Sequence, residues 1–149
     1  MIAYGIALLY GIANNFHLLE NFTNNVKINT NKSGTVTAST SNDECTYVKI
    51  GRHVFLNGSL VVGSVSSPSG RITINNKPYA STGGEGGHRG VGSMMFHAPA
   101  SDEGSAIVPM IFEDYDPIRI HNSSSGGEIN ANKIQASTEI RFAVNYHAG

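Results

Sequence analysis

The strongest constraint on this chain is the brevity of its apolar runs and the regularity of their two-residue period. Ile140, Phe142, Val144 and Tyr146 alternate with other residues, as do Ile118 and Ile120, Ile72 and Ile74, and Met94 and Phe96. Alternation of this kind places every second side chain on one face of a β-strand. Clusters of Gly, Asn, Ser, Asp and Pro separate the runs, and these residues favour turns for specific backbone reasons. A convincing long amphipathic helix is absent from the sequence. Many short strands with turns between them predict an all-β domain, either a sandwich or a barrel. We expect an antiparallel β-sandwich of jelly-roll type. Without a fixed internal repeat, a β-helix or propeller is disfavoured.

Along the chain, Met1–Ala13 has Ile2, Tyr4, Ile6, Leu8 and Tyr10 on alternate positions with small residues between several of them, which favours extended structure. Phe16–Phe22 is ambiguous between a helical turn and a strand. Short strands are expected at Val26–Asn29 and Thr35–Thr40, joined by a turn at Asn31–Gly34. The break at Ser41–Glu44 suggests an N-terminal arm or attachment segment over 1–45 and a β-sandwich module over 46–149. Within the module, strands are expected at Thr46–Ile50 and His53–Val62, with a change of face around Gly58, where a glycine in a strand suggests a bulge. Gly63–Gly70, polar and bearing Pro68, reads as a connection. Further strands follow at Arg71–Ile74, Ser93–His97, Ala106–Glu113, Ile118–His121 and Glu139–Tyr146. Pro109 suggests an edge or bulge in its strand. The densest glycine cluster, Ser81–Gly92, reads as a surface loop.

Composition narrows the function classes. Charged residues make up 14% of the 149 and the formal net charge is -1, so the basic excess of a nucleic-acid groove is missing. No run approaches the roughly 20 apolar residues needed to span a bilayer as a helix, so membrane insertion is not expected. The apolar start lacks a positively charged leader region, since the first basic residue is Lys27. A single cysteine, Cys45, excludes an intrachain disulfide and reads as a small buried hydrophobe at a strand start.

Catalytic motifs do not assemble. Gly83–Gly87 is followed by no Gly-Lys-Ser/Thr, so it is not a phosphate loop. Asp102, Glu103, Ser105 and His88 form no recognisable nucleophilic triad. Glu113, Asp114 and Asp116 cluster beside Tyr115 without the spacing of a calcium loop, and a solvated turn is the plainer reading. Neither an enzyme nor a cofactor is expected. Tyr79 and the following loop could contact a sugar, because aromatic rings stack on apolar sugar faces and polar side chains supply hydrogen bonds. The candidate contact residues are Tyr79, Glu85, His88 and Arg89, with a plain turn as the alternative.

One stretch carries a family resemblance. Tyr47, Lys49-Ile50-Gly51, Val54–Val62, Ser69-Gly70-Arg71-Ile72-Thr73-Ile74 and Pro78-Tyr79-Ala80 follow one another in order, and Ile140–Tyr146 closes the chain with a late tyrosine. This sequence resembles the distal module of tail fibres and related appendage proteins of tailed bacteriophages, over roughly the residues from Thr46 to the C-terminus. The resemblance implies a virion protein that forms a homotrimer, meets other virion proteins, and binds a glycan or protein of the host surface. A capsid decoration or head-fibre protein is the alternative. In a trimer, Ile2, Tyr4, Ile6, Leu8 and Tyr10 would form an assembly arm. Three-fold symmetry could also gather His97 or His121 around an axial metal ion, although surface or core histidines are the plainer reading.

Overall fold

The computed structural model describes residues 16–21, 27–41, 43–82, 90–100, 107–112 and 117–149. The arm residues Ile2, Tyr4, Ile6, Leu8 and Tyr10 lie outside them, as do Glu85, His88 and Arg89 and the carboxylates at 102, 103, 113, 114 and 116. The strands are β1 (Phe16–Asn21), β2 (Lys27–Thr30), β3 (Ser33–Ala38), β4 (Glu44–Ile50), β5 (His53–Ser69), β6 (Ile72–Asn75), β7 (Gly90–His97), β8 (Ile107–Ile111), β9 (Ile118–Asn122) and β10 (Glu139–His147), with a 3-10 turn at Ala131–Lys133. The fold is all-β and antiparallel, as the alternation predicts. Phe16–Asn21 takes the strand alternative.

The hydrogen-bonded path is one continuous sheet in the order β1-β4-β5-β10-β7-β8-β9-β6-β2, and β3 also pairs with β5. Because β2 turns directly into β3, which pairs with β5, the β2 end of the path returns to β5 and the sheet nearly closes on itself. The result resembles a barrel, where separate sandwich layers were expected. Closing a sheet removes most of its exposed edges. Residues 128–134 cover one end. Ile129, Ala131 and Ile134 are buried there, tied by Ile72 N–H to the Ile129 carbonyl and by Ala131 N–H to the Gly70 carbonyl. At the other end Tyr146 Oη donates to the Tyr79 carbonyl (3.0 Å), and Ala148 N–H donates to the Arg52 carbonyl.

β10 runs through the middle of this sheet, paired with β5 from Glu139↔Val61 to His147↔His53 and with β7 from Glu139↔His97 to Asn145↔Val91. Its inward residues Ile140, Phe142, Val144 and Tyr146 join Val54, Leu56, Leu60 and Val62 of β5 in the core. The alternation of β5 passes straight through Gly58, so the expected change of face does not occur. Gly58 faces inward opposite Phe142 and Cys45, and a Cβ there would strike the Phe142 ring. The glycine thus makes room for an aromatic ring from the neighbouring strand. Gly92 of β7 serves backbone approach: a Cβ there would overlap the Ala143 carbonyl.

Gly63–Gly70 is not a connection, because β5 continues to Ser69. Beyond Val62 it leaves β10 and pairs with β3 alone, with register shifts on either side of the Thr35–Thr37 pairs. Ser67 has φ 40° beside Pro68, next to one of these shifts. A bulge bends the strand and tolerates a proline that cannot donate. A two-stranded ribbon buries little of either face, which explains its polar composition. Pro109 lies where the β7–β8 ladder, limited to Gly90↔Ile111 and Val91↔Met110, has already ended.

Two outcomes follow from this packing. Gly92→Ala is expected to cost roughly 1–3 kcal/mol in denaturant unfolding, because a backbone carbonyl must move. Gly63→Ala meets nothing closer than 3.5 Å and serves as the near-neutral control. Burial, reinforced by the Asp43 charge, raises the Cys45 thiol from 9.0 to about 12. The unfolded thiol ionises near its ordinary value while the folded one stays protonated, so this group's contribution to stability falls as pH rises from about 9 towards 12. Thiol-reagent labelling of Cys45 at pH 8 should therefore track unfolding; rapid labelling of the native protein would contradict it.

Candidate interaction surface

The outward residues of β4, β5, β10 and β7 form a broad face that the core does not use. Strand register aligns them in rows. One row is Val48, Phe55, Asn145 and Val91; the next is Thr46, Asn57, Ala143 and Ser93; a third is Glu44, Ser59, Arg141 and Met95. Ile50 and His53 extend the face at one end, where the His53 ring lies 4.7 Å from Phe55 and 4.8 Å from His147 between centroids. Four large apolar residues stand open to solvent here: Ile50 (46% exposed), Phe55 (42%), Val91 (57%) and Met95 (49%).

The next two rows, from Thr46 to Ser93 and from Glu44 to Met95, line an open depression of about 580 Å³. Its floor is made of small residues, including Thr46, Asn57, Ser93 and Ala143, and Glu44, Met95 and Arg141 border it. Arg141 Nε donates to Glu139 Oε1 (2.7 Å), which also accepts from Ser59 Oγ (3.2 Å). The hydrogen bond from Arg141 holds the Glu139 carboxyl below the usual carboxylate range. A low-charge face with Phe, Met and Arg at its centre has the composition of a protein contact core. A second depression, about 480 Å³, follows the seam between β2 and β3 and is rich in hydroxyls, from Thr30, Thr35, Thr37, Ser39 and Thr40.

Of the described residues expected from the sequence, His97 lies on this face, whereas Tyr79 and His121 lie elsewhere. Tyr79 is half-buried, not an open platform. Its ring packs edge-on against Tyr47 (5.6 Å), and Lys49 Nζ sits 5.3 Å from its centroid. It shares its end of the barrel with Thr82, whose N–H donates to the His147 carbonyl. Thr82 and Gly90 are the described residues on either side of 83–89. His97 is exposed on β7 opposite Glu139. His121 lies on β9 with Nδ1 3.2 Å from the Gly126 carbonyl, and β8 separates the two strands. No three His, Cys, Asp or Glu side chains gather as a metal site among the described residues. Near His121, Glu128 Oε1 accepts from Arg119 (3.1 Å) and Arg71 (3.5 Å), and the Arg119 guanidinium lies over Phe112 (4.8 Å).

The exposed row was overlooked in the sequence, although its signal was present. Phe55 has the opposite parity to Val54 and Leu56, so an alternating strand must turn it outward. Substitutions test this assignment of faces. At concentrations low enough to keep the chain monomeric, Phe55→Ser is expected to change unfolding free energy by no more than about 0.5 kcal/mol, whereas Leu56→Ala should cost roughly 2–5 kcal/mol. Equal losses in chemical denaturation would overturn it.

No protein-family model matches this chain, and no curated protein matches it. Among solved structures, the crystal structure of the Dettilon tailspike protein is similar, with a TM-score of 0.70 and 16% sequence identity. The match covers 89% of this chain and 24% of the tailspike chain. The likeness at that identity is one of fold, and it spans a minor part of the larger protein. This chain therefore has a fold resembling one portion of a phage tailspike.

Proposed function

We propose that this chain is a structural domain of a tailed-phage appendage, carried on the virion as a homotrimer and used for attachment to a host surface. The observation that carries the proposal is the likeness of nearly the whole chain to part of a tailspike. The ordered motifs from Tyr47 to Ala80, with the closing strand Ile140–Tyr146, support the same assignment from sequence. A nearly closed antiparallel sheet supplies a rigid frame, and loops at its ends are free to vary around it. The end bearing Tyr79, Thr82 and Gly90 is the assigned host-facing end, with Glu85, His88 and Arg89 of the intervening sequence as contact residues. In this proposal the domain binds a glycan or protein without transforming it. It has no cofactor, and its other partners are virion proteins.

Sedimentation of the purified full chain is expected to give three times the chain mass; a monomer would overturn the trimer. Fluorescently labelled protein should bind cells of the host saturably, and Arg89→Ala should weaken that binding. Absence of binding across a broad panel of bacterial envelopes would overturn the attachment role. Release of new sugar reducing ends on incubation with envelope polysaccharide would overturn the non-enzymatic assignment.

A further inference from the structure

We infer that the outer face of β4, β5, β10 and β7 is the surface on which a second copy of this chain docks. The inference deepens the homotrimer proposal and rests on it for the assembly, while the face itself is identified from its own shape and chemistry. Ile50, Phe55 and Val91 make a broken apolar ridge, with Asn145 of β10 between Phe55 and Val91 and Ile50 one row along, and beside it lies the small-residue depression floored by Ala143 and Ser93. Ridge and depression are thus two halves of one contact. Copies that turn this face towards a common axis can each place Phe55 in the depression of the next.

Charge placement favours the same partner. Glu44 and Arg141 stand at the border of the depression on β4 and β10, with β5 between them. A neighbouring copy can therefore set its Glu44 against Arg141, and the contact is complementary in sign to itself. Apart from Glu44 and the bonded Glu139–Arg141 pair, the outward positions of β5, β7 and β10 are apolar, small, amide or imidazole. Such depletion of Lys and Glu is the mark of a surface buried by protein. Four strands about 4.8 Å apart and roughly seven residues at about 3.4 Å give a face on the order of 20 Å by 25 Å. In a trimer that face is shared between two neighbours, so each contact is smaller than the ~800 Å² per partner of a standard complex and depends on its apolar anchors.

The test is self-association of the full chain by sedimentation, with circular dichroism as the check on folding. Phe55→Asp and Val91→Asp should each raise the dissociation constant at least about tenfold, as expected for an apolar anchor at a contact centre. Glu44→Arg alone and Arg141→Glu alone should weaken assembly, and the double exchange should restore it. Assembly unchanged in folded Phe55→Asp and Val91→Asp would overturn the inference while leaving the trimer intact. If either aspartate variant fails to fold, Phe55→Ser and Val91→Ser carry the same comparison. A monomeric wild type whose Phe55→Asp variant loses binding to an envelope protein would also overturn it, assigning the face to a host partner. Loss of cell binding in a variant that still assembles would bear on attachment alone.

Discussion

Continuous pairing of β10 with β5 on one side and β7 on the other holds this fold together. Inward residues of β10 from Ile140 to Val144 are registered with inward residues of both neighbours, so Ile140 faces Leu60 and Phe96, and Val144 faces Leu56 and Gly92. Two glycines make the arrangement sterically possible. Gly58 leaves space for the Phe142 ring against Cys45, and Gly92 lets β7 approach the β10 backbone. Larger residues at these points would push the strands apart or displace the Phe142 ring.

Curvature in turn determines what each side of the sheet can do. The interior is filled by Ile, Val, Leu and aromatic side chains, with Ile129 and Ala131 closing one end and Tyr146 fixed to the Tyr79 backbone at the other. It is a packed core, leaving the outer faces and the ends for interaction. The outer face of β4, β5, β10 and β7 combines exposed apolar residues with few charges. On the outer face of β9, Arg119 pairs with Glu128, which lies beyond the strand and bridges to His121 through the backbone. The two sides thus differ in chemistry although both belong to one sheet, and an assembly that buries the first would leave the second to solvent.

The sequence was most legible where one strand face is buried and the other is wet. The inward sets Ile118/Ile120 and Ile140/Phe142/Val144/Tyr146 follow directly from period-two alternation, as does the separation of Met94 and Phe96 from Met95 and His97. It was least legible where burial is slight. Gly63–Gly70 reads as a loop because a two-stranded ribbon requires no apolar face, yet hydrogen bonds to β3 continue the strand. Tyr79 could not be placed from its neighbours in the chain, because its environment comes from Tyr47, Lys49 and Tyr146 on other elements.

By itself the sequence determined the all-β class, most strand positions and the residues that face the core, since these depend on local alternation and turn chemistry. Tertiary structure alone decided that the strands join into one nearly closed sheet, because closure depends on pairings between segments far apart in sequence. It also decided that Gly58 faces inward beneath an aromatic ring, and that Ile50, Phe55, Val91 and Met95 share one exposed surface. Those four residues come from three strands, and only the register of β10 between β5 and β7 brings them together.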